Sequence, residues 1–362
     1  MGTEQFRELA QRIIKEGPGI PEKKLINKMG TGKKRAVYTY GPDQMRMLKF
    51  IAFSLYRYDR RLPANCYSFR RNKTARDAVK YLVSSLNGRQ MWAYKTDIHD
   101  YFNSVSIPIL LPILKDFLED DSELYCFFDR MLSDSRVLID GEVVQEQHGI
   151  MAGTPTAPFL ADLYLAEVDR YFSDRGVLYA RYSDDIIFFA QDLDSLNDLR
   201  GVLTDFLERY GLTVNPDKEH VYKPGEAFDF LGFKCLGANI DLADATREKM
   251  KGKIRRKTRS LMRARGFRGV DAETAMSRLI RHFNVKFFED DETESLNWSR
   301  YFFPLINRTE GLKEIDRYLQ QNLRYLATGR HGNSGYSIRY ETLKNLGYRS
   351  LVHEYYASDH IY

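Results

Sequence analysis

The chain has 362 residues, of which 43% are hydrophobic and 29% are charged, and its formal net charge is +5. This composition is typical of a folded globular protein, and the length allows a large core and more than one domain. Three scattered cysteines form no CxxC or Cys/His cluster, which argues against a zinc site or a disulfide framework. No apolar run approaches the ~20 residues of a membrane span. We therefore expect a soluble protein of a reducing, cytoplasmic compartment, without a membrane partner.

The first quarter of the chain alternates segments of helical periodicity with basic loops. Asp43 and Thr74 each precede such a segment, so we expect them as helix N-caps. Gly30 and Gly32 indicate a turn in the basic segment 28–44. The predicted elements are a helix over 4–15, a strand over 35–40, and helices over 43–58 and from Thr74 to Leu86.

The middle of the chain predicts strands that end at acidic residues or glycine-rich turns. MWAYKTDIHDYFNSV (91–105) begins as a strand, and Asp140-Gly141 between two β-rich runs indicates a hairpin. GIMAGTPTAP (149–158) is a loop that opens into a helix, and YARYSDDIIFF (179–189) places two adjacent aspartates between apolar β-runs. The predicted elements are a mostly helical stretch over 107–133, a hairpin over 136–145, a helix over 159–173 and strands over 177–182 and 186–190.

From about residue 240 the composition becomes basic and helical. KMKGKIRRKTRSLMRARGFRG (249–269) combines helical periodicity with a high density of cations, so we expect a separate helical unit in the last third of the chain. The predicted elements after residue 190 are a helix over 192–210, a strand-like segment over 228–236, and helices over 249–269, 271–283 and 309–328.

Three carboxylates are expected at one edge of a sheet. Asp97 ends one predicted strand, and Asp184 and Asp185 lie at a hairpin tip. If those strands are neighbours, the carboxylates repel one another unless a cation neutralises them. Mg²⁺ prefers oxygen ligands, and two such ions about 4 Å apart can activate a 3′-hydroxyl and stabilise a leaving pyrophosphate. The pattern suits nucleotidyl transfer.

Five segments, in order and spacing, resemble the palm motifs of reverse transcriptases: KTDIHDYFNSV, GIMAGTPTAPFLADLYL, YARYSDDIIFF, NPDKEHVY and FLGF. The resemblance covers roughly residues 28–236. Within the family, the chain resembles bacterial enzymes of the phage-defence, abortive-infection and unknown-group types. It implies an α+β right-hand polymerase. The implied parts are fingers in 1–90 with part of 107–148, a palm with an antiparallel sheet in 91–236, and a helical thumb with a C-terminal extension in 237–362.

The resemblance implies roles for the acidic residues. Asp97 matches the first ligand of two Mg²⁺ ions (or Mn²⁺), with the carbonyl of Ile98 beside it. Asp184 and Asp185 match the paired aspartates of the YxDD turn, and Asp184 is expected to bridge both ions. Lys218 matches a lysine proposed to protonate pyrophosphate, although a surface lysine in a loop is an equal alternative.

The resemblance also implies nucleotide and nucleic-acid contacts. Phe102 matches the bulky steric gate that collides with a ribose 2′-hydroxyl; the alternative is that it packs in the core. Met151 and Ala152 stand where the family has Pro-Gln, which puts ordinary substrate handling in doubt. The implied nucleotide contacts are Lys33, Lys34, Arg35, Tyr101, Phe102, Ala152 and Gly153. The implied nucleic-acid contacts are Tyr182, Ser183, Phe230, Leu231, Gly232, Lys253, Arg255, Arg256 and Lys257, with Lys249, Lys251, Arg259, Arg263 and Arg265 as further thumb cations.

Three functions follow as hypotheses. The first is an RNA-directed DNA polymerase that uses dNTPs and an RNA template or non-coding RNA, makes a DNA product, and serves bacterial antiphage defence. A homo-oligomer or a second defence protein stays open as partner. The second is template-independent or protein-primed synthesis, for which Tyr355, Tyr356 or Tyr362 would offer a hydroxyl. The third is a non-catalytic RNA-binding scaffold, against which the three intact aspartates argue.

Overall fold

The computed structural model describes residues 3–27, 34–289, 297–330 and 338–358. The chain divides into two compact units: Met1–Ser85 with Gln90–Pro224, and Leu86–Arg89 with Gly225–Tyr362. Across the described ranges, no helix is both long and apolar enough to cross a lipid bilayer.

The first unit combines helices with two four-stranded sheets. Its strands are β1 (Glu22–Asn27), β2 (Lys34–Thr39), β3 (Trp92–Asp97), β4 (Arg136–Ile139), β5 (Glu142–Gln145), β6 (Tyr179–Tyr182), β7 (Asp185–Ala190) and β8 (His220–Tyr222). The helices up to residue 224 are α1 (Thr3–Glu16), α2 (Pro42–Ser54), α3 (Ala75–Leu86), α4 (Tyr101–Ser104), α5 (Ile107–Phe117), α6 (Ser122–Ser133), α7 (Ala157–Tyr164), α8 (Ala166–Asp174) and α9 (Leu193–Arg209), with 3₁₀ turns at Leu55–Arg61 and Pro216–Lys218.

One sheet of this unit has the strand order β6-β7-β3-β8, and all of its neighbouring strands are antiparallel. After Asp185 the central strand β7 is apolar and buried, because both of its faces are covered. Phe188 on β7 packs against Phe172 of α8, which stacks on Tyr179 of β6 at 4.6 Å between ring centroids. The strand pairing therefore rests on a continuous aromatic layer.

The other sheet has the order β2-β1-β4-β5, and its strand β1 was not expected from the sequence. EKKLIN carries three charges in six residues, and its last four residues are exposed, so it shows neither alternation nor an apolar run. Strand β1 is held by its pairing partners rather than favoured by its composition, because it pairs antiparallel with β2 and parallel with β4. The predicted 136–145 hairpin forms as β4 and β5.

The two predicted helix caps have different outcomes. Thr74 is confirmed, because its hydroxyl accepts from the Asp77 amide at 3.3 Å and the Asp77 carboxylate accepts from the Thr74 amide at 2.8 Å. Asp43 is wrong as a cap. Helix α2 begins at Pro42 with Gly41 as N-cap, because the fixed φ of proline suits the first helical position.

The second unit has a three-stranded antiparallel sheet of order β11-β10-β9 and a group of helices. Its longest helix, α10, begins five residues before the predicted start at 249 and packs on α13 and α11. The elements are β9 (Phe228–Phe230), β10 (Phe233–Leu236), β11 (Asn239–Leu242), α10 (Asp244–Arg268), α11 (Ala272–Phe288), α12 (Trp298–Phe302), α13 (Glu310–Thr328), α14 (Tyr340–Asn345) and α15 (Leu351–Ala357).

Candidate active site

Strand register brings the three predicted carboxylates to one edge of the β6-β7-β3-β8 sheet. Asp97 on β3 is the direct antiparallel partner of Asp185 on β7. Tyr182 pairs with Asp185 across the hairpin, so Ser183 and Asp184 form its two-residue turn. The Ile98 amide donates to the Asp184 carbonyl at 3.2 Å, which ties the turn to the end of β3.

Asp97 is the most buried of the three carboxylates, at 3% exposure. Its Oδ2 pairs with the Lys218 ammonium, whereas Oδ1 has no hydrogen-bond partner among the described residues. A buried, half-satisfied carboxylate beside two further aspartates is the donor set that a hard divalent cation requires. As the side chains stand, no three acidic, His or Cys groups in the described part of the chain already form a metal-binding cluster. Lys218 is the counter-ion of Asp97 in this arrangement.

The turn is held in a conformation that costs energy. Ser183 has φ +58°, in the left-handed region that serine adopts at roughly 1–2 kcal/mol. Its amide donates to the Ser68 hydroxyl at 2.9 Å, and its carbonyl accepts from Arg181 at 3.1 Å. These bonds on both sides fix the direction in which Asp184 leaves the hairpin.

Beneath the turn lies a fully buried ionic network that the sequence did not predict. Arg181 donates to both oxygens of Asp169 at 2.8 and 2.6 Å, and it lies 3.6 Å from Asp162. The Ser68 hydroxyl donates to Asp162 at 2.5 Å. Burial raises the pKa of Asp162 to about 7. Two aspartates seven residues apart on an otherwise apolar helical segment were the available signal.

Phe102 lies half-buried on α4, at the boundary between core and solvent. Its ring meets Tyr101 at 5.8 Å and Phe69 at 6.3 Å. Tyr101 itself is buried and its hydroxyl donates to the Ala161 carbonyl at 2.5 Å, so its predicted contact with the nucleotide is not made by the side chain. Tyr101 anchors α4, and Phe102 remains the candidate steric gate.

The 149–158 loop is joined to the gate residue through backbone contacts. The Ile150 amide donates to the Phe102 carbonyl at 2.9 Å. Gly149 has φ +53°, and a Cβ there would overlap the Phe102 carbonyl and the backbone of Asn103. Only glycine allows this approach. The position of the loop and the position of Phe102 are therefore set together.

Further along the loop, Met151 and Ala152 belong to the packed interior. Met151 is buried with φ +57°, and the Tyr40 hydroxyl donates to its sulfur at 3.2 Å. Ala152 is also buried, and its carbonyl accepts from the Tyr38 amide at 2.7 Å. The predicted nucleotide contact through Ala152 is thus corrected, because its side chain lies inside the fold. Gly153, with φ +101°, is exposed.

The basic strand β2 runs beside this loop. Lys34 and Arg35 are both exposed on β2, and Lys33 lies outside the described residues. A Cβ at Gly153 would lie 3.3 Å from that of Val37. Side chains alternate along a strand, so Arg35 lies on the face of Val37, about 7 Å farther along. This supports Arg35, rather than Lys34, as the cation on the Gly153 side.

In the second unit, the predicted primer-gripping segment forms the β9–β10 turn. Phe230 is fully buried, so its predicted nucleic-acid contact is not made by its side chain. The Leu231 carbonyl accepts from Tyr301 at 3.0 Å, and the Gly232 carbonyl accepts from Thr246 at 2.9 Å. The turn is rigid, and its contact with nucleic acid stays a prediction for Leu231 and Gly232.

The cations of α10 divide into two groups. Lys251 pairs with Glu314 of α13, and Arg265 donates to the Leu326 carbonyl, so these two hold helices together, which argues against them as phosphate contacts. Arg255 and Arg256 are exposed, and Lys253 and Lys257 are half-buried.

The second group forms a patch of like charge. Burial, together with repulsion by Lys286, Arg256 and Lys249, lowers the pKa of Lys253. Burial and repulsion by Lys257 and Lys286 likewise lower the pKa of His282 on α11. Crowded cations of this kind are relieved by a polyanion. We call Lys249, Lys253, Arg256, Lys257 and Lys286 the basic patch.

The tyrosines considered for protein priming differ in accessibility. The Tyr355 hydroxyl donates to the Ile306 carbonyl at 2.7 Å inside the fold, which removes it as an exposed nucleophile. Tyr356 is 67% exposed, and Tyr362 lies outside the described residues.

Comparisons with known proteins agree with this geometry. The family model "Reverse transcriptase (RNA-dependent DNA polymerase)" matches residues 21–235. The retron Mx65 reverse transcriptase of Myxococcus xanthus is 27% identical over 30% of this chain and 26% of its own length. The retron Ec86 reverse transcriptase of Escherichia coli is 26% identical over 28% of this chain and 33% of its own length. The alignments therefore span a third or less of these relatives.

Solved telomerase structures align over much of the chain at low identity. The structure of apo telomerase from Candida tropicalis gives a TM-score of 0.49 at 12% identity, covering 90% of this chain and 62% of its own. Telomerase from Candida albicans with a fragment of telomeric RNA gives a TM-score of 0.48 at 12% identity, covering 98% of this chain and 66% of its own.

The family match covers the β6-β7-β3-β8 sheet and all three aspartates at its edge. The fold is of the α+β right-hand polymerase class, and the chain belongs to the reverse transcriptase family.

Proposed function

We propose that this chain is an RNA-directed DNA polymerase that extends a 3′-hydroxyl with dNTPs at Asp97, Asp184 and Asp185. The observation that carries the proposal is the pairing of Asp97 with Asp185, with Asp184 on the adjoining turn and an unsatisfied Asp97 oxygen beside them. Fingers in 1–90, a palm in 91–236 and a thumb in 237–362 form the corresponding parts of the proposal.

Asp97, Asp184 and Asp185 would hold two Mg²⁺ ions, for which Mn²⁺ could substitute, with the Ile98 carbonyl as a further oxygen. Bound there, the ions would lower the pKa of the primer hydroxyl and stabilise the leaving pyrophosphate. Lys218 balances the charge of Asp97 and would donate a proton to the pyrophosphate. Arg35 would contact the triphosphate, and Phe102 would exclude a ribose 2′-hydroxyl.

Nucleic acid would be held mainly through phosphates. The basic patch and the neighbouring Arg255 offer a cluster of cations, so we expect binding that is salt-dependent and independent of sequence. Tyr182 and Ser183 would lie next to the primer end. Template or non-coding RNA and the growing DNA are the proposed partners.

Primer extension on an RNA template tests the proposal. We expect Asp184→Asn to lower the rate of dNTP incorporation by about 100-fold or more, because a metal ligand supplies several kcal/mol of charge stabilisation. The matched control is Asp198→Asn, an exposed aspartate of α9. Equal rates in both variants would overturn the role of Asp184, and no extension by the wild type or by Asp198→Asn would favour a non-catalytic RNA-binding scaffold.

We further propose a role in bacterial antiphage defence together with a non-coding RNA, supported by the similarity to two retron reverse transcriptases. Plating of phage on cells with the wild-type chain and with Asp184→Asn tests this role. Protection that survives Asp184→Asn would separate defence from polymerisation.

A further inference from the structure

Phe69 is a strained aromatic residue that lies outside the five palm motifs. Its φ is +50°, in the left-handed region that a residue with a Cβ adopts only with backbone strain. Its ring is 39% exposed, so simple burial does not explain the conformation. Strain of this kind persists only where the surroundings over-determine it, and it is concentrated at functional sites.

The residues on either side of Phe69 fix its backbone. Ser68 accepts from the Ser183 amide at 2.9 Å and donates to Asp162 at 2.5 Å. Arg70, with a 7% exposed side chain, pairs with Asp59 and donates to the Pro63 carbonyl at 3.2 Å. With both neighbours anchored, the direction of the Phe69 side chain is determined.

That direction places the Phe69 ring between two residues of the candidate active site. Its centroid is 6.3 Å from that of Phe102, with the planes at 89°. It is also 6.3 Å from the ring of Tyr182, with the planes at 41°. The first geometry is the edge-to-face arrangement that aromatic pairs prefer, and such a pair contributes about 0.5–1.5 kcal/mol beyond its buried area.

We propose that Phe69 is a specificity-determining residue that holds the Phe102 ring where it meets the 2′ position of the incoming nucleotide. The proposal rests on the assignment of Phe102 as steric gate in the proposed function. Phe102 is half-buried, so the core confines its ring only in part. The Phe69 ring supports the Phe102 ring on another side. It also contacts Tyr182, the first residue of the YSDD turn. Without the Phe69 ring, Phe102 can turn away and admit a ribonucleotide.

The experiment measures kcat/KM for a dNTP and for the matching rNTP. We expect Phe69→Leu to lower the ratio of the two values by about 3- to 10-fold, in line with the energy of one aromatic pair. Phe69→Tyr keeps the ring and should keep the wild-type ratio. The control is Phe53→Leu, an exposed phenylalanine whose ring partner is Tyr56 on the neighbouring turn. A purely structural role would lower both kcat/KM values alike and leave the ratio unchanged.

A second variant distinguishes loss of the ring from misfolding. Phe69→Gly removes the ring and relieves the backbone strain, so its melting temperature should stay near that of the wild type while its ratio falls. In Phe102→Ala the ratio should fall further, and adding Phe69→Leu to it should change nothing more.

The outcomes separate the two proposals. If Phe102→Ala leaves the ratio unchanged, the steric gate is wrong, and with it the basis of this inference. If Phe102→Ala lowers the ratio but neither Phe69→Leu nor Phe69→Gly does, the gate stands and the role of Phe69 is overturned.

Discussion

At the scale of single residues, Arg181 influences which of the two carboxylates below the YSDD turn, Asp162 and Asp169, binds a proton. One guanidinium faces two buried carboxylates, and Asp169 receives its two short bonds. Asp162 is left with a 3.6 Å ion contact, a hydroxyl donor and one oxygen without a hydrogen-bond partner among the described residues. Burial raises the pKa of Asp162, and the single positive charge of Arg181, which Asp162 shares with Asp169, offsets that rise only in part.

This arrangement predicts how stability depends on pH. Burial raises the pKa of Asp162 from its ordinary 3.8 to about 7, so the folded chain keeps a proton that the unfolded chain releases. The free energy of unfolding should therefore fall as pH rises from about 4 to about 7, by up to about 1.4 kcal/mol per pH unit, and this contribution should be absent above pH 7.

Melting temperatures of the wild type and Asp162→Asn between pH 5 and 8 measure this effect. Asparagine cannot titrate, so the wild type should lose melting temperature relative to the variant as pH rises toward 7. Parallel curves would show that Asp162 is ionised throughout.

At the scale of elements, the 149–153 loop connects parts that are distant in sequence. Its start contacts the Phe102 carbonyl, and its end bonds to Tyr38 on β2. Gly149 and Gly153 stand at the two points of closest approach. The loop thus sets the spacing between the gate residue and the strand that carries Arg35.

Gly149→Ala should disrupt this spacing. The new Cβ would overlap the Phe102 carbonyl and lie 2.8 Å from the carbonyl carbon and oxygen of Asn103, in addition to the cost of φ +53°. We expect a loss of several degrees in melting temperature and at least a 10-fold loss of primer extension.

The matched control is Gly176→Ala. Gly176 has φ +64°, but a Cβ there meets nothing within 4 Å. It carries the backbone strain without the clash, at roughly 1 kcal/mol. Equal effects at both positions would mean that strain, rather than the contact with Phe102, dominates at Gly149.

Elements whose own residues determine their structure were predictable. The apolar runs of β3 and β7 and the Thr74 cap follow from local pattern. Strand β1 was not predictable, because its pairing with β2 and β4 comes from residues elsewhere in the chain. The same holds at the site. The aspartates could be predicted because they belong to a sequence motif. The contact of Ser68 with the turn could not, because it joins positions 115 residues apart.

At the scale of the whole molecule, the distribution of charge matters more than its sum. A net charge of +5 on 362 residues is a weak signal, but the basic patch concentrates cations on α10 and α11. Neighbouring cations such as Lys251 are already neutralised by Glu314. The long helix therefore carries two kinds of cation, those of the basic patch and those that hold it to α13.

Salt dependence of RNA–DNA duplex binding distinguishes the two kinds of lysine. For Lys253→Gln we expect weaker binding and a slope of log K against log[salt] that is smaller by about 1, because one phosphate contact is lost. For Lys251→Gln the slope should not change. Identical slopes for wild type and Lys253→Gln would remove Lys253 from the binding surface.

The ion pair between Lys218 and Asp97 has a consequence for the order of events. Lys218 is the resting counter-ion of the most buried aspartate, yet 59% of its side chain is exposed. Under the proposed function, Asp97 would hold a divalent cation, and the Lys218 ammonium would then be available to contact the triphosphate. Lys218 would thus become a proton donor only when a nucleotide is bound, before the pyrophosphate that receives its proton is formed.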